Sequence, residues 1–381
     1  MIDLAYGQYL ESRFVAMDSP LRRALRIGER LKDVTICARS RYWLATSLEW
    51  SARQPESLAL WMQVIAAGYR DADVRALEAD GQLHFVAGSF ARASRILVRA
   101  GAGATEASFR LIDEGFEWLR RVRRPGLAAN LHLAQSEIRR DCDELPGAVE
   151  AAEAGLAIKR RYNSPGYWLA VHLYQLAALL RRDEVRDLPR ARRLAEEALE
   201  RPANELSPDA RSRYLVTYAR ILSDLGETEA AVEAAGESLR LSSAMDYPSS
   251  MVRSAEALAR VLLEGGKLAD TPSYAAIAWR QARRPHALWS DAHLAAIAAS
   301  EVRLAQADDS RDESSGACGL VCQSKARTRL RSAQGWLDRA EPVARRMDAL
   351  WLTGSNMAEI QRLRAKADAI ACSLTEQSAP T

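Results

Sequence analysis

Residues Leu77 to Ala100 read L-x-x-x-G-x-x-x-x-x-x-G-x-F-x-x-A-x-x-x-L-x-x-A, with Gly81, Gly88, Phe90, Ala93, Leu97 and Ala100 at the marked places. Small residues at these spacings let two helices cross closely, and Phe90 fills the gap beside the crossing. The pattern therefore predicts helices packed in pairs. The rest of the chain agrees. In the segment from Ser207 to Gly226, Tyr214, Tyr218, Ile221, Leu222 and Leu225 recur at spacings of three and four. Ser207 before Pro208 gives an N-cap with proline at the first helical position, and Gly226 ends the helix. Runs of alternating β-branched residues are absent, so no strand pattern competes.

Weaker copies follow the same logic of a tight turn and a small residue shortly after it. Gly226 with Ala231 is one. Pro189 with Ala191, Ala195 and Ala198 is another, and Ala148, Ala152 and Gly155 form a third. Ala52 with Ser57 and the helix through Trp61 is a weak fourth. The anchors Ala93, Ala148, Ala191 and Ala231 lie 55, 43 and 40 residues apart. These copies resemble tetratricopeptide (TPR) repeats, stretched beyond the usual length of about 34 residues. The gap of 55 predicts an extra helix near 105–123.

The resemblance implies an all-α fold, a right-handed α-solenoid of TPR-like helix-turn-helix repeats with a C-terminal helical cap. Residues 1–34 are expected to form N-terminal capping helices and 35–265 the repeat array. Degenerate repeat helices are expected over 266–305, a flexible loop over the polar stretch 306–325, and a helical hairpin cap over 326–373. The tail is 374–381.

The bulk numbers exclude several classes. The 53 basic residues include only five Lys, leaving 48 Arg, but 50 acidic residues balance them to a formal charge of +3. No global field favours nucleic acid, which is possible but not the favoured partner. No stretch approaches the ~18 consecutive apolar residues of a membrane span, and the N-terminus carries Asp3 and Glu11 instead of a secretory pattern. The expectation is a cytoplasmic protein. Five cysteines argue against a disulfide framework. Cys318 and Cys322 are spaced by three residues and lack a second pair, so no metal site and no cofactor is expected. Phosphate loops and nucleophile elbows are absent. His84, His132 and His172 fall at core or near-core positions of helices. Nine tryptophans fall mostly on apolar helical spacing; Trp43 and Trp50 share one face and are also candidates for a ligand surface.

In TPR-like arrays the first helix of each pair lines the concave groove. Carried onto this sequence, that places Arg213 with Arg220 and Arg253 with Arg260 on the inner face, each pair seven apart. Arg39, Arg75, Asn130, Glu137 and Arg140 take comparable places in earlier copies. The ligand-binding groove is thus assigned to Arg213, Arg220, Arg253, Arg260, Arg75, Asn130 and Arg140, an Arg-lined surface suited to carboxylates or phosphates. The competing reading pairs those arginines with Glu233 or Glu256. Grooves of this family often hold a peptide's C-terminal carboxylate with basic residues and Asn. The expected function is a non-enzymatic scaffold or regulatory sensor for a protein or peptide ligand bearing an acidic or C-terminal carboxylate group. Arrays of about 40-residue bacterial repeats resemble the sensor half of peptide-responsive regulators. The alternative is a nucleotide- or RNA-binding helical protein, or a helical ribonuclease resembling the HEPN type. That type uses an R-x4–6-H motif, which Arg280 and His286 fit loosely, with His293 upstream of the cap.

Overall fold

The computed structural model describes residues 1–11, 13–51, 53–98, 104–162, 166–202, 206–245, 247–284, 287, 289–312, 319–351 and 355–376. Every regular element among them is helical, and none of the helices is long and apolar enough to cross a membrane. The chain divides into two compact units. The first comprises Met1–Thr217 with the short stretches Met245–Tyr247 and Leu350–Leu352; the second comprises Tyr218–Ala244, Pro248–Ala349 and Thr353–Thr381.

The first unit begins with α1 (Ile2–Leu10) and α2 (Asp18–Leu31). It continues through α3 (Val34–Trp50), α4 (Gln54–Ala67), α5 (Asp71–Ala79), α6 (Leu83–Val98), α7 (Ala104–Arg121), α8 (Ala128–Asp141), α9 (Leu145–Arg161), α10 (Gly166–Leu180) and α11 (Leu188–Leu199). The boundary between the units falls inside α12 (Pro208–Asp224). The second unit holds α13 (Thr228–Ser243), α14 (Pro248–Glu264), α15 (Thr271–Ala282), α16 (Trp289–Asp312), α17 (Gly319–Trp351) and α18 (Ser355–Glu376).

Helices pack as sequential pairs: α3 on α4, α6 on α7, α8 on α9, α10 on α11 and α14 on α15. The small residues of the second helices sit at the crossings. Ser57, Ala148, Ala191 and Ala231 are fully buried, and each is the fourth residue of its helix. Serine is tolerated at the first of these because its hydroxyl donates to the Ala45 carbonyl across the pair at 2.6 Å.

Three of the turns share one closing device. After α12, Glu227 N–H returns to Leu222 O at 2.9 Å and Gly226 N–H to Ser223 O at 2.9 Å. After α14, Lys267 bonds Leu262 O at 2.8 Å and Gly266 bonds Leu263 O at 3.1 Å. After α8, Glu144 bonds Arg139 O at 2.8 Å and Asp143 bonds Arg140 O at 3.0 Å. These are Schellman caps, which need a left-handed residue. Gly226 (φ 81°) and Gly266 (φ 72°) supply it freely, whereas Asp143 (φ 59°) does so against its side chain.

Two expectations from sequence differ from the structure. Gly81 (φ 69°) closes the same kind of turn, but it joins α5 to α6 and not the two members of a pair. Ala93 therefore lies in a first helix, and the helix over 104–121 is the regular partner of α6. The helix outside the pairing is the nine-residue α5, since α4 packs directly on α6. The second difference is at the polar stretch. Residues 306–312 continue α16 and 319–325 begin α17, while 313–318, including Cys318, lie outside the described residues. Small buried residues at helical spacing (Ala307 and Ser310, then Cys322 and Ala326) carry these turns beneath a polar outer face.

The core of the first unit centres on Trp61, Phe90, Trp118, Leu131 and Ile138. The indole N–H of Trp118 donates to Gly68 O at 2.8 Å, which fixes the end of α4. A second cluster (Tyr9, Phe14, Met17, Leu21, Leu44 and Leu48) seats α1 and α2 on α3, with Tyr247 against Phe14 and Trp50. In the second unit α16, α17 and α18 share a core that includes Leu304, Leu330, Leu337, Ile360, Leu363 and Leu374.

Candidate functional site

The first helices of the first unit turn one face towards a common groove. On α6, Gly88, Ala91, Arg92 and Arg95 share that face at spacings of three and four. On α8 it carries Asn130, Leu133 and Glu137, and on α10 Trp168 and Val171. Tyr42 and Trp50 of α3, Tyr9 of α1 and Arg213 of α12 complete the lining. Small side chains on α6 keep the floor low. A Cβ at Gly88 would stand 3.0 Å from the Tyr42 ring, so glycine is what allows the two helices this approach.

The charges in the groove are committed to each other. Glu49, which is almost fully buried, receives Arg92 at 2.7 Å and Arg95 at 3.5 Å. Arg95 also meets Glu137 at 2.6 Å. Arg213 meets Asp209 at 3.0 Å and lies 5.5 Å over the Trp50 ring. Arg92 lies 5.9 Å from the centre of the Trp61 ring. Three guanidiniums thus face three carboxylates from α3, α8 and α12. Two polar groups stand apart from this balance. The side-chain oxygen of Asn130 and the indole N–H of Trp50 are buried and have no hydrogen-bond partner among the described residues. One is an acceptor and the other a donor.

Of the residues assigned to the groove from sequence, Asn130 and Arg213 line it. Arg75 is exposed on α5, the helix outside the pairing. Arg140 is half-buried near the end of α8 and turns to Asp141 at 2.6 Å. Arg220, Arg253 and Arg260 belong to the second unit. There Arg220 and Arg260 converge on one buried carboxylate, Glu256, with 2.6 Å to Arg260. Arg260 further contacts Glu301 at 3.2 Å and Glu359 at 3.4 Å, while Arg253 is half-buried on α14. Among the site residues not assigned from sequence, Glu49, Arg92 and Arg95 carry the charge network. Their only signal was a shared register on consecutive first helices.

The histidines divide. His172 bonds Trp168 O at 2.9 Å and Ala129 O at 3.1 Å, a structural tie. His132 packs 4.8 Å from the Phe116 ring. His84 instead stands exposed at the start of α6, where its ring meets Gly81 O at 3.1 Å. In the second unit Arg280 is exposed on α15, and His293 is buried on α16, 3.9 Å from Glu359. Burial, the largest influence on His293, lowers its pKa. His286 lies outside the described residues. Among the described residues no cluster of His, Cys, Asp or Glu could hold a metal ion.

No family model and no curated protein sequence matches the chain. Among solved structures it is similar to a Rap protein crystallised in complex with competence and sporulation factor. The match covers 98% of both chains at a TM-score of 0.54 and 12% identity. At that identity the likeness speaks for the fold: an all-α, TPR-like arrangement of helix pairs over the whole chain.

Proposed function

We propose that the groove of the first unit binds an extended peptide through its main chain, and that the protein acts as a peptide-responsive regulator or adaptor without chemistry of its own. The observation that carries this reading is the pair of unsatisfied groups, Asn130 Oδ1 and Trp50 Nε1. A buried polar group without a partner is costly, by about 1–3 kcal/mol. A peptide unit offers one N–H and one C=O, the complement of those two groups. The charge balance around them narrows the ligand. With Arg92, Arg95 and Arg213 already paired, the middle of the groove suits a neutral or apolar segment better than an acidic one. The Rap protein of similar fold was captured with a bound factor, which supports reading this fold as one that accommodates a ligand.

The test uses peptides selected from a random display library on the intact protein. Asn130→Ala is expected to weaken them at least about tenfold, the worth of one well-placed buried hydrogen bond. Affinity should depend only shallowly on salt, because the guanidiniums of the groove are neutralised internally. Selected peptides that bind Asn130→Ala and Trp50→Phe as tightly as the parent protein would sink this reading.

A further inference from the structure

The second unit carries a furrow of its own, of about 580 Å³, which shares no residue with the groove of the first. It runs between α13 and α15, both of which pack on α14. Val232 and Leu239 of α13, Met251 and Leu258 of α14, and Tyr274 and Ile277 of α15 line it. Leu239 and Ile277 rest by one side on the core around Val252 and Ala278. All of these lining residues except Leu258 are only half-buried, so a row of apolar side chains is left open to water.

Gly236 forms the wall between Val232 and Leu239. It stands in the middle of α13, where glycine is a poor helix former. Packing inside the protein does not require it: a Cβ there would meet no atom within 4 Å. At Gly88 and Gly155, by contrast, a Cβ would press on a neighbouring helix at 3.0 Å. A bare stretch of helix facing open space lets the backbone of another chain come close.

The α13 side of the furrow is charged. Glu229 and Glu233 are exposed one turn apart, and neither has an ion-pair partner among the described residues. Glu233 and Glu237 both line the furrow, and Arg240 stands at its far end on the last turn of α13. The α15 side adds no charge to the lining. An extended chain laid here would leave its N–H and C=O groups unpaired over Met251 and Leu258, whereas a helix satisfies them internally. The lining runs from Val232 to Ser243 on α13, which is about 17 Å or three helical turns. We propose that the furrow docks an amphipathic helix of a partner protein, its apolar stripe seated over Gly236 and two Lys or Arg residues, one turn apart, facing Glu229 and Glu233. The spacing of the two carboxylates is the spacing at which a helix presents successive residues of one face. This surface is independent of the peptide groove, and neither reading needs the other.

The probes that test it are two labelled peptides of about 18 residues, long enough to hold a helix in water. Both carry one leucine stripe at i, i+3, i+4 and i+7; the flanking positions are Lys in one and Glu in the other. Fluorescence anisotropy with the full chain at low salt is expected to show the Lys peptide bound at least about tenfold more tightly than the Glu peptide. Gly236→Leu should weaken the Lys peptide at least about tenfold by filling the furrow, yet melt no lower than wild type, because leucine is the better helix former and meets no clash. Glu229→Lys/Glu233→Lys should reverse the preference between the peptides, a result that misfolding cannot imitate. Equal binding of the two peptides by wild type, saturable binding of neither, or full-strength binding to Gly236→Leu overturns the proposal. So does a wild-type dimer that Gly236→Leu converts to monomer, which would give the furrow to a second copy of the chain.

Discussion

Glu256→Ala is expected to lower the stability of the protein by about 3 kcal/mol. Glu256 is 1% exposed on α14 and holds Arg220 from α12 and Arg260 from its own helix. Arg260 reaches on to Glu301 of α16 and Glu359 of α18, and Glu301 to Arg362 at 3.5 Å. One carboxylate therefore stands at the centre of a network that ties three first helices to the last helix. Without it, Arg220 loses its carboxylate and Arg260 keeps only those of Glu301 and Glu359. Loss of one partner from a fully buried pair costs about 3–5 kcal/mol. Both arginines here retain some water contact, at 30% and 29% exposure, so the lower end applies. Urea unfolding reads the loss as a lower midpoint at unchanged slope. The double variant Glu256→Leu/Arg220→Met should recover most of it, because a well-packed apolar pair replaces a buried ion pair at little cost. A loss below about 1 kcal/mol for the single variant would place these charges in effective contact with solvent.

Lys159→Met is expected to act in the opposite sense and stabilise the protein by about 3 kcal/mol at neutral pH. Burial pushes the Lys159 amine down to about 8 from an ordinary value of 10.5. A base whose pKa falls on folding is harder to protonate in the native state than in the unfolded chain. Below pH 8 the native state carries the full cost of the buried charge. As the pH rises from about 8 to about 10.5 the unfolded chain holds the extra proton, so stability rises with pH across that window. Methionine keeps the apolar stem against Trp168 and removes the charge. The variant should therefore be more stable at pH 7, and its stability should lack the rise that wild type shows above pH 8. Equal stability of the two proteins at pH 7 would mean that the ammonium has a partner in solution.

Local structure was legible from local sequence. Gly226 and Gly266 mark turns because a Schellman cap needs a left-handed residue, and glycine adopts that conformation without strain. Ala148, Ala191 and Ala231 mark crossings because only small side chains fit there. The pairing of helices was less legible. A glycine turn says that two helices meet, not that they belong to one repeat. Gly81 and Ala93 thus displaced the odd helix from 71–79 to 105–123. The polar stretch from 306 hid its helices because its inner face is built of Ala, Ser and Cys, which carry little hydrophobic signal. At the site, Asn130 was readable as a polar residue in an inward register. Arginine was not. With 48 of them, register alone cannot separate a free guanidinium from a paired one. The partner that decides, such as Glu49 for Arg92, lies 43 residues away. Glu256 was the exception, four residues before Arg260 on the same helix face, where pairing was the competing reading from the outset.

The placing of the tryptophans has an optical consequence. Trp61 and Trp118 are sealed in the core, 0% and 2% exposed, and their emission should be blind to anything that binds. Trp50 and Trp168 are only half-buried in the groove wall, and each has a cation over its ring, Arg213 at 5.5 Å and Lys159 at 5.7 Å. A ligand that strips water from these two indoles, or draws either cation away from its ring, changes the colour and quantum yield of their fluorescence. The protein thus carries its own dye at the point where the peptide is proposed to lie.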